Sequence, residues 1–239
     1  MPLSIEIIYT DPEFLVINKP AGVLVHGVRA TPHREASSEE TVVSWLQAHY
    51  PEVATVGDDP RQRPGIVHRL DKETSGVLLI TRTQNAFEYF KKLFQTHEVQ
   101  KTYQALVWGE METASGIIDK PIGIKSGTIK RSVHSDKMAK PAVTEYRTVR
   151  SLTISGQPYT LLEVMPRTGR THQIRVHLAA IGHPVMGDKL YGGKRSFYAN
   201  LNRHFLHALA IEFTAPNGKR IKCEAALPDE LTRVLTSAE

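Results

Sequence analysis

The chain has 239 residues, 41% hydrophobic and 23% charged, which excludes a disordered or collagen-like polymer and suffices for a sizeable buried core. Lys and Arg number 30 against 25 Asp and Glu, a formal charge of +5 that admits a polyanionic partner without requiring one. The one cysteine, Cys223, forbids an intrachain disulfide and any Cys-x-x-Cys metal or redox motif, which fits a reducing compartment.

Ile5–Tyr9 and Phe14–Ile17 are β-branched and aromatic runs separated by Asp11 and Pro12, the pattern of strand, turn and strand. The N-terminus lacks a basic start and a long apolar run, and no stretch approaches the roughly 18 apolar residues needed to span a bilayer, so a soluble cytoplasmic protein is expected. Thr41–Tyr50 sets Val42, Trp45, Leu46 and His49 on one helical face, with Ser37 and Glu40 as its capping box and Pro51 as its stop. A polar loop over 55–65 leads into Ile66 and Val67, and Gly76–Thr81 reads as a strand. Over Gln84–His97, Phe87, Phe90, Leu93 and Phe94 form a helical core stripe. Lys101–Gly109 alternates as a sheet strand does, and further strands are expected at Ala142–Val149, Tyr159–Met165, Leu206–Phe213 and Arg220–Ala225. His172–Ile181 reads as a short helix with Ile174, Leu178 and Ile181 as its apolar stripe and Gly182 as its stop. Helices and strands do not alternate regularly, so an α+β fold with a mixed, largely antiparallel sheet and flanking helices is favoured over a doubly wound one. No linker or repeat divides the chain, and residues 1–239 are expected to be one domain.

The charge is segregated. Asp119–Pro141 holds six basic residues against two acidic, and Met165–Arg195 six against the single Asp188, leaving the rest of the chain net acidic. Grouped cations suit a phosphate-bearing partner, and a solvated basic surface is the plain alternative.

Several chemistries are disfavoured. No His-Glu-x-x-His occurs, and His172 and His177, five apart, fall on different sides of a helix, so no metal site is expected. Gly187–Lys194 fails as a phosphate loop because Arg195 stands where Ser or Thr should ligate magnesium. Ser75 lacks a Gly-x-Ser-x-Gly context and reads as a turn residue. The densest polar cluster entering a strand is His68-Arg69-Leu70-Asp71-Lys72-Glu73-Thr74-Ser75-Gly76. By residue type alone Asp71 is first a turn cap, since Asp-x-x-Thr-Ser-Gly is good turn chemistry; a carboxylate presented at a cleft is the second reading.

Four segments taken together say more. Asn18-Lys19-Pro20-Ala21-Gly22, His68-Arg69-Leu70-Asp71 with Thr74-Ser75-Gly76, Lys101-Thr102-Tyr103-Gln104-Ala105 and Gly169-Arg170-Thr171-His172-Gln173-Ile174-Arg175 resemble, in order and spacing, the pseudouridine synthases of the ribosomal large subunit synthase A family. The resemblance spans roughly Tyr9–Ala225 and implies the pseudouridine synthase fold with a central RNA-binding cleft. It implies a single catalytic domain without the small N-terminal RNA-binding domain of many members, so target choice is expected to rest on the catalytic domain. It further implies isomerisation of uridine in structured tRNA or rRNA by a catalytic aspartate, with no cofactor and no metal, RNA as partner, no membrane, and a monomer.

Asp71 matches the family aspartate, acting either as a nucleophile or as a base on the ribose 2′ proton. Arg175 matches the arginine that pairs with it, and Tyr103 the tyrosine that stacks on the target uracil and is a candidate for the last proton transfer from carbon 5. Arg69 matches a residue that fills the gap left by the extruded nucleotide, and Lys19, Arg170 and His172 are expected at phosphates or in loop positioning. By residue type alone a core tyrosine on a strand is a serious rival reading of Tyr103, and an ordinary phosphate-contacting or surface arginine is the favoured reading of Arg175. A non-catalytic RNA-binding or ribosome-assembly protein is the rival reading, and an ionised carboxylate facing a polyanion argues against it.

Overall fold

The computed structural model describes residues 3–27, 39–125, 130–193 and 201–238. These fall into two compact units, one of Met1–Val99 with Ala210–Ala225 and the other of Gln100–Leu209 with Ala226–Glu239. Among the described residues no helix is long and apolar enough to cross a membrane.

In the first unit, β1 (Glu6–Thr10), β2 (Phe14–Lys19) and β3 (Ser75–Thr81) pair antiparallel in that order. The β1–β2 turn is closed by Asp11, whose Oδ1 accepts from the amides of Glu13 and Phe14 at 2.8 and 3.0 Å. All seven residues of β3 are buried, so both its faces are covered and its sequence reads as a continuous apolar run. The strand β10 (Leu206–Thr214) begins in the second unit and ends in the first, where it pairs antiparallel with β11 (Arg220–Glu224). The aromatic centre of this unit is a mutual edge-to-face contact of Phe14, Phe90 and Phe213, with centroids 5.1–5.6 Å apart.

Helix α2 (Gln84–Gln95) supplies Phe90 and buries Ala86, Phe87 and Leu93 with it, as the stripe predicts, behind a Thr83 cap that accepts from the Ala86 amide. Helix α1 (Val42–His49) is capped differently from expectation. The box is Thr41 with Ser44, side chain to amide in both directions at 3.0 and 2.8 Å; Ser37 lies outside the described residues, and Glu40 accepts the Leu3 amide instead. Pro51 stops the helix as expected and opens a short 3₁₀ turn, Pro51–Thr55.

In the second unit, β4 (Gln100–Trp108), β9 (Gln157–Pro166), β8 (Val143–Ile154) and β5 (Ser115–Asp119) pair antiparallel in that spatial order, beside a small hairpin of β6 (Gly123–Ile124) and β7 (Arg131–Ser132). β8 is longer than its sequence suggests. Its apolar pattern is interrupted by a bulge at Thr148–Arg150, and it runs on to a two-residue turn in which Ser155 and Gly156 both have positive φ, 50° and 71°. Helices α3 (Gln173–Ala180) and α4 (Asp229–Thr236) complete the unit, α4 burying Leu231 and Val234. The apolar stripe expected for α3 understates its burial: every residue from Gln173 to Leu178 is buried, polar ones included. The α+β class and the mostly antiparallel sheet are as the sequence implies.

Candidate functional site

Lys19, Arg69 and Asp71 belong to the first unit and Tyr103, Arg170, His172 and Arg175 to the second, and each group is built by its own unit's local chemistry.

The Asp71 loop is held from both ends. On its N-terminal side Gly65, at φ +69°, lies so close to β3 that a Cβ there would come 2.4 Å from the Thr81 carbonyl oxygen, which only glycine avoids. The chain then runs along β3, and His68 fixes it there: Nε2 accepts from the Leu79 amide at 2.9 Å while the ring stacks on Phe94 with centroids 4.6 Å apart. An Nε2 that accepts leaves the ring proton on Nδ1. Arg69 follows, exposed, and the Thr74 amide donates to the Asp71 carbonyl at 3.1 Å to close the turn into β3. On the C-terminal side Lys19 reaches in from the end of β2. It is fully buried, and its ammonium donates to the carbonyls of Pro20, Val23 and Lys72 at 2.6, 2.8 and 3.1 Å. The Lys72 carbonyl also accepts from the Gly22 amide at 2.9 Å, so Lys19 ties the Pro20–Val23 turn to the residue after Asp71.

Of the two roles expected for Lys19, phosphate contact or loop positioning, an ammonium donating to three carbonyls fits loop positioning. Lys19→Met is expected to cost about 1–3 kcal/mol or more by stranding buried carbonyls, measured by urea unfolding, while leaving the slope of RNA affinity against log salt as in the wild type. A shallower slope would restore the phosphate reading.

In the second unit the segment before α3 is organised by Gln173 rather than by a helix cap, since His172 sits at the N-cap in left-handed conformation with no side-chain cap bond. The Gln173 Oε1 accepts from the Thr168 hydroxyl and the Arg170 amide at 2.7 and 3.0 Å, and its Nε2 donates to the Val143 carbonyl and the Thr144 hydroxyl, both at 2.9 Å. All four hydrogen-bonding positions of the amide are thus used, binding the Gly169–Arg170 loop to β8. Arg170 itself donates from Nε to the Pro141 carbonyl at 3.0 Å.

One turn further on, His177 is fully buried between the Lys120 carbonyl and the Thr144 hydroxyl, each 2.9 Å away. A carbonyl only accepts, so the ring proton is on Nε2 and Nδ1 accepts from Thr144. Burial pushes the His177 pKa below its ordinary 6.5, outweighing the raising effect of the Lys120 carbonyl. The unfolded chain then binds the proton first, so folding stability is retained above about pH 6.5 and falls as pH drops below it. His177→Gln is expected to flatten that fall in urea titrations between about pH 8 and 5, and an unchanged slope would refute this account.

Arg175 is buried and forms a two-point ion pair with the fully buried Asp188, Nε to Oδ2 at 2.6 Å and Nη2 to Oδ1 at 2.8 Å. Asp188 Oδ1 also accepts the amides of Leu190 and Tyr191 at 2.9 and 3.0 Å. Burial alone would raise the Asp188 pKa, but the bonds and charge of Arg175 with the two amides hold it below the usual carboxylate value. The turn that delivers Asp188 depends on Gly187, at φ +73°, where a Cβ would come 2.2 Å from the Arg203 carbonyl oxygen. The Tyr191 ring lies 5.2 Å from the Arg175 guanidinium carbon, and its hydroxyl meets His172 Nδ1 at 2.8 Å and the Arg131 amide at 3.0 Å.

Tyr103 stands on β4 opposite Val164 of β9, half-buried and packed against the unit's apolar core. Two residues back, Lys101 points Nζ toward the Thr168 carbonyl at 3.5 Å, and burial lowers its pKa to about 8. The second unit therefore gathers Arg175 and His172 around Tyr191 and Asp188, neither of which sequence reasoning identified. A signal for Asp188 was present: it is the single acid among the cations of Met165–Arg195, where an internal counter-ion would be sought.

A family model described as RNA pseudouridylate synthase matches residues 13–180. The chain is 35% identical over 244 residues to ribosomal large subunit pseudouridine synthase D of Vibrio vulnificus, covering 97% of this chain and 70% of that protein. It is 36% identical to the Yersinia pestis protein of the same name, over 98% of this chain and 71% of the other. Among solved structures, human RNA pseudouridylate synthase domain containing 1 superposes with a TM-score of 0.74 at 26% identity, covering 100% of this chain and 90% of that one.

Proposed function

The chain belongs to the RNA pseudouridylate synthase family and isomerises uridine in RNA to pseudouridine, and from that premise we propose that its substrate is ribosomal RNA and that Asp71 is its catalytic carboxylate. The substrate class is supported by relatives named for the large ribosomal subunit that match nearly the whole chain. The observation that carries the site is the family match over residues 13–180, which contains Asp71, Tyr103 and Arg175 within their motifs. Family membership also decides against the non-catalytic assembly role.

The reaction breaks the bond from uracil N1 to ribose C1′, turns the base, joins C5 to C1′, and releases the C5 proton while N1 gains one. Asp71 serves as nucleophile on the substrate or as base for the ribose 2′ proton; in either role it must be ionised, and a water-poor setting sharpens its action. Tyr103 supplies a flat face for the detached uracil and an oxygen for the C5 proton. Arg175 supplies positive charge to the reaction centre, and its buried pairing with Asp188 holds the guanidinium plane fixed before substrate arrives. Arg69, exposed beside Asp71, occupies the space vacated by the flipped nucleotide. His172 and Arg170 position the Gly169–Arg170 loop of their own unit or meet RNA phosphates. We read the two units as one catalytic domain that works without cofactor or metal, as a monomer in the cytoplasm.

The direct test is tritium release from RNA labelled at uridine C5, comparing ribosomal RNA with tRNA. Release from ribosomal transcripts is expected; release from tRNA alone would reassign the substrate.

A further inference from the structure

The turn after Gly187 delivers two groups to Arg175, an acid and an aromatic ring. Asp188 takes the edge of the guanidinium at Nε and Nη2, a two-point contact that fixes the fork within its own plane. Swinging out of that plane is the motion such a contact resists least. Three residues on, Tyr191 meets the fork from its face: the guanidinium carbon lies over the ring, 5.2 Å from its centroid, within the range of a cation–π contact.

The ring is held independently of Arg175. The Tyr191 amide donates to Asp188 Oδ1 at 3.0 Å and the Gly192 amide to the Asp188 carbonyl at 2.8 Å, so acid and ring belong to one closed turn. At its far end the Tyr191 hydroxyl accepts from the Arg131 amide at 3.0 Å and lies 2.8 Å from His172 Nδ1, to which it can give its proton. The ring also packs on the buried cluster of Ile122, Ala142 and Val176, with Val133 beside it. A side chain locked in this way by packing and hydrogen bonds can hold a neighbouring group to within about 0.5 Å of one geometry.

We propose that Tyr191 is a positioning residue for the isomerisation: its ring backs the face of the Arg175 guanidinium while Asp188 holds the edge, so that the charge meets the reacting nucleotide in one orientation. In this role Tyr191 acts through Arg175 and touches neither base nor phosphate. A misplacement of about 1 Å in a group that orients the chemistry can cost roughly 10²-fold in rate. The inference rests on the role proposed above for Arg175.

The test is steady-state tritium release by wild type, Tyr191→Phe, Tyr191→Leu, Arg175→Lys and the double variant Arg175→Lys with Tyr191→Leu, together with the proton resonance of the Arg175 Nε–H in the protein without RNA. Tyr191→Leu removes the ring and is expected to lower kcat by roughly 10-fold to 100-fold, with KM and the salt dependence of RNA binding unchanged. Tyr191→Phe keeps the ring and loses the hydroxyl anchor, and is expected to hold kcat within about threefold of wild type. The Nε–H resonance, shifted by the ring beside it, is expected to stay near its wild-type position in Tyr191→Phe and to move in Tyr191→Leu. With Arg175→Lys already in place there is no planar fork to back, so adding Tyr191→Leu is expected to cost less than about threefold more. Wild-type kcat in Tyr191→Leu beside a slowed Arg175→Lys would overturn the proposal alone, as would losses that add in full in the double variant or a resonance that does not move. A raised KM or a shallower salt slope would make Tyr191 an RNA contact and overturn it too. A loss of turnover no greater than the loss of folded protein at the assay temperature would make the ring part of the scaffold, against the proposal. Wild-type kcat in Arg175→Lys would overturn the role of Arg175 and this proposal with it.

Discussion

Asp71→Asn is expected to reduce tritium release from C5-labelled ribosomal RNA on the order of 10³-fold or more while the protein stays folded and still binds RNA. The change keeps the shape of the side chain and removes its charge, so it cannot attack as a carboxylate or take a proton. Folding is expected to survive because the loop is held by bonds that the substitution leaves in place: the Lys19 ammonium on three carbonyls, His68 on the Leu79 amide, and the Thr74 amide on the Asp71 main-chain carbonyl. Turnover in Asp71→Asn within tenfold of wild type, measured as single-turnover rate at saturating enzyme, would remove Asp71 from the chemistry.

The second large effect lies at Asp188. Asp188→Ala leaves the buried Arg175 without its counter-charge and the amides of Leu190 and Tyr191 without an acceptor. Breaking a buried pair from one side costs about 3–5 kcal/mol, which for a chain of this size lowers Tm by roughly 10 °C. The charge-balanced double variant Asp188→Leu with Arg175→Met is expected to recover much of that stability, since a well-packed apolar pair can replace a buried ion pair, yet to remain inactive. Recovered turnover in the double variant would refute a role for Arg175 in the reaction. Because the Asp188 pKa is held below its ordinary value, its contribution to stability is present above the unfolded-state pKa and is lost as pH falls through the folded one. The pair is therefore expected to be intact throughout the neutral range.

The strands and α2 were legible because burial in them follows a period that residue type reports: Phe87, Phe90 and Leu93 recur at helical spacing and are buried together. β5 and α4 were not, since Ser115–Asp119 opens on Ser-Gly with Ile117 exposed, and Asp229–Thr236 offers only Leu231 and Val234 to the interior. The capping of α1 was misread by one turn because Ser37-x-x-Glu40 and Thr41-x-x-Ser44 carry similar chemistry, and only the backbone distinguishes them. The motifs that contain Asp71, Tyr103 and Arg175 were legible as family signatures, and the family match over residues 13–180 includes them. Asp188 and Tyr191 were not, because their segment was weighed as a phosphate loop, and what matters there is tertiary: a turn made possible by Gly187 that sets a carboxylate against Arg175. The burial of Lys19 was illegible for a related reason, since a lysine at a strand end normally reaches solvent and three carbonyl partners leave no trace in residue type.

The first unit is assembled from two distant stretches, and this bears on its synthesis at the ribosome. Phe14 and Phe90 emerge within the first 99 residues, but Phe213, which closes the aromatic centre with them, comes only after the whole of Gln100–Leu209 has been made. At roughly 5–20 residues per second the wait is on the order of ten seconds. For that interval Phe14 and Phe90 are without the ring that completes their aromatic centre, and the unit closes only when β10 and β11 arrive.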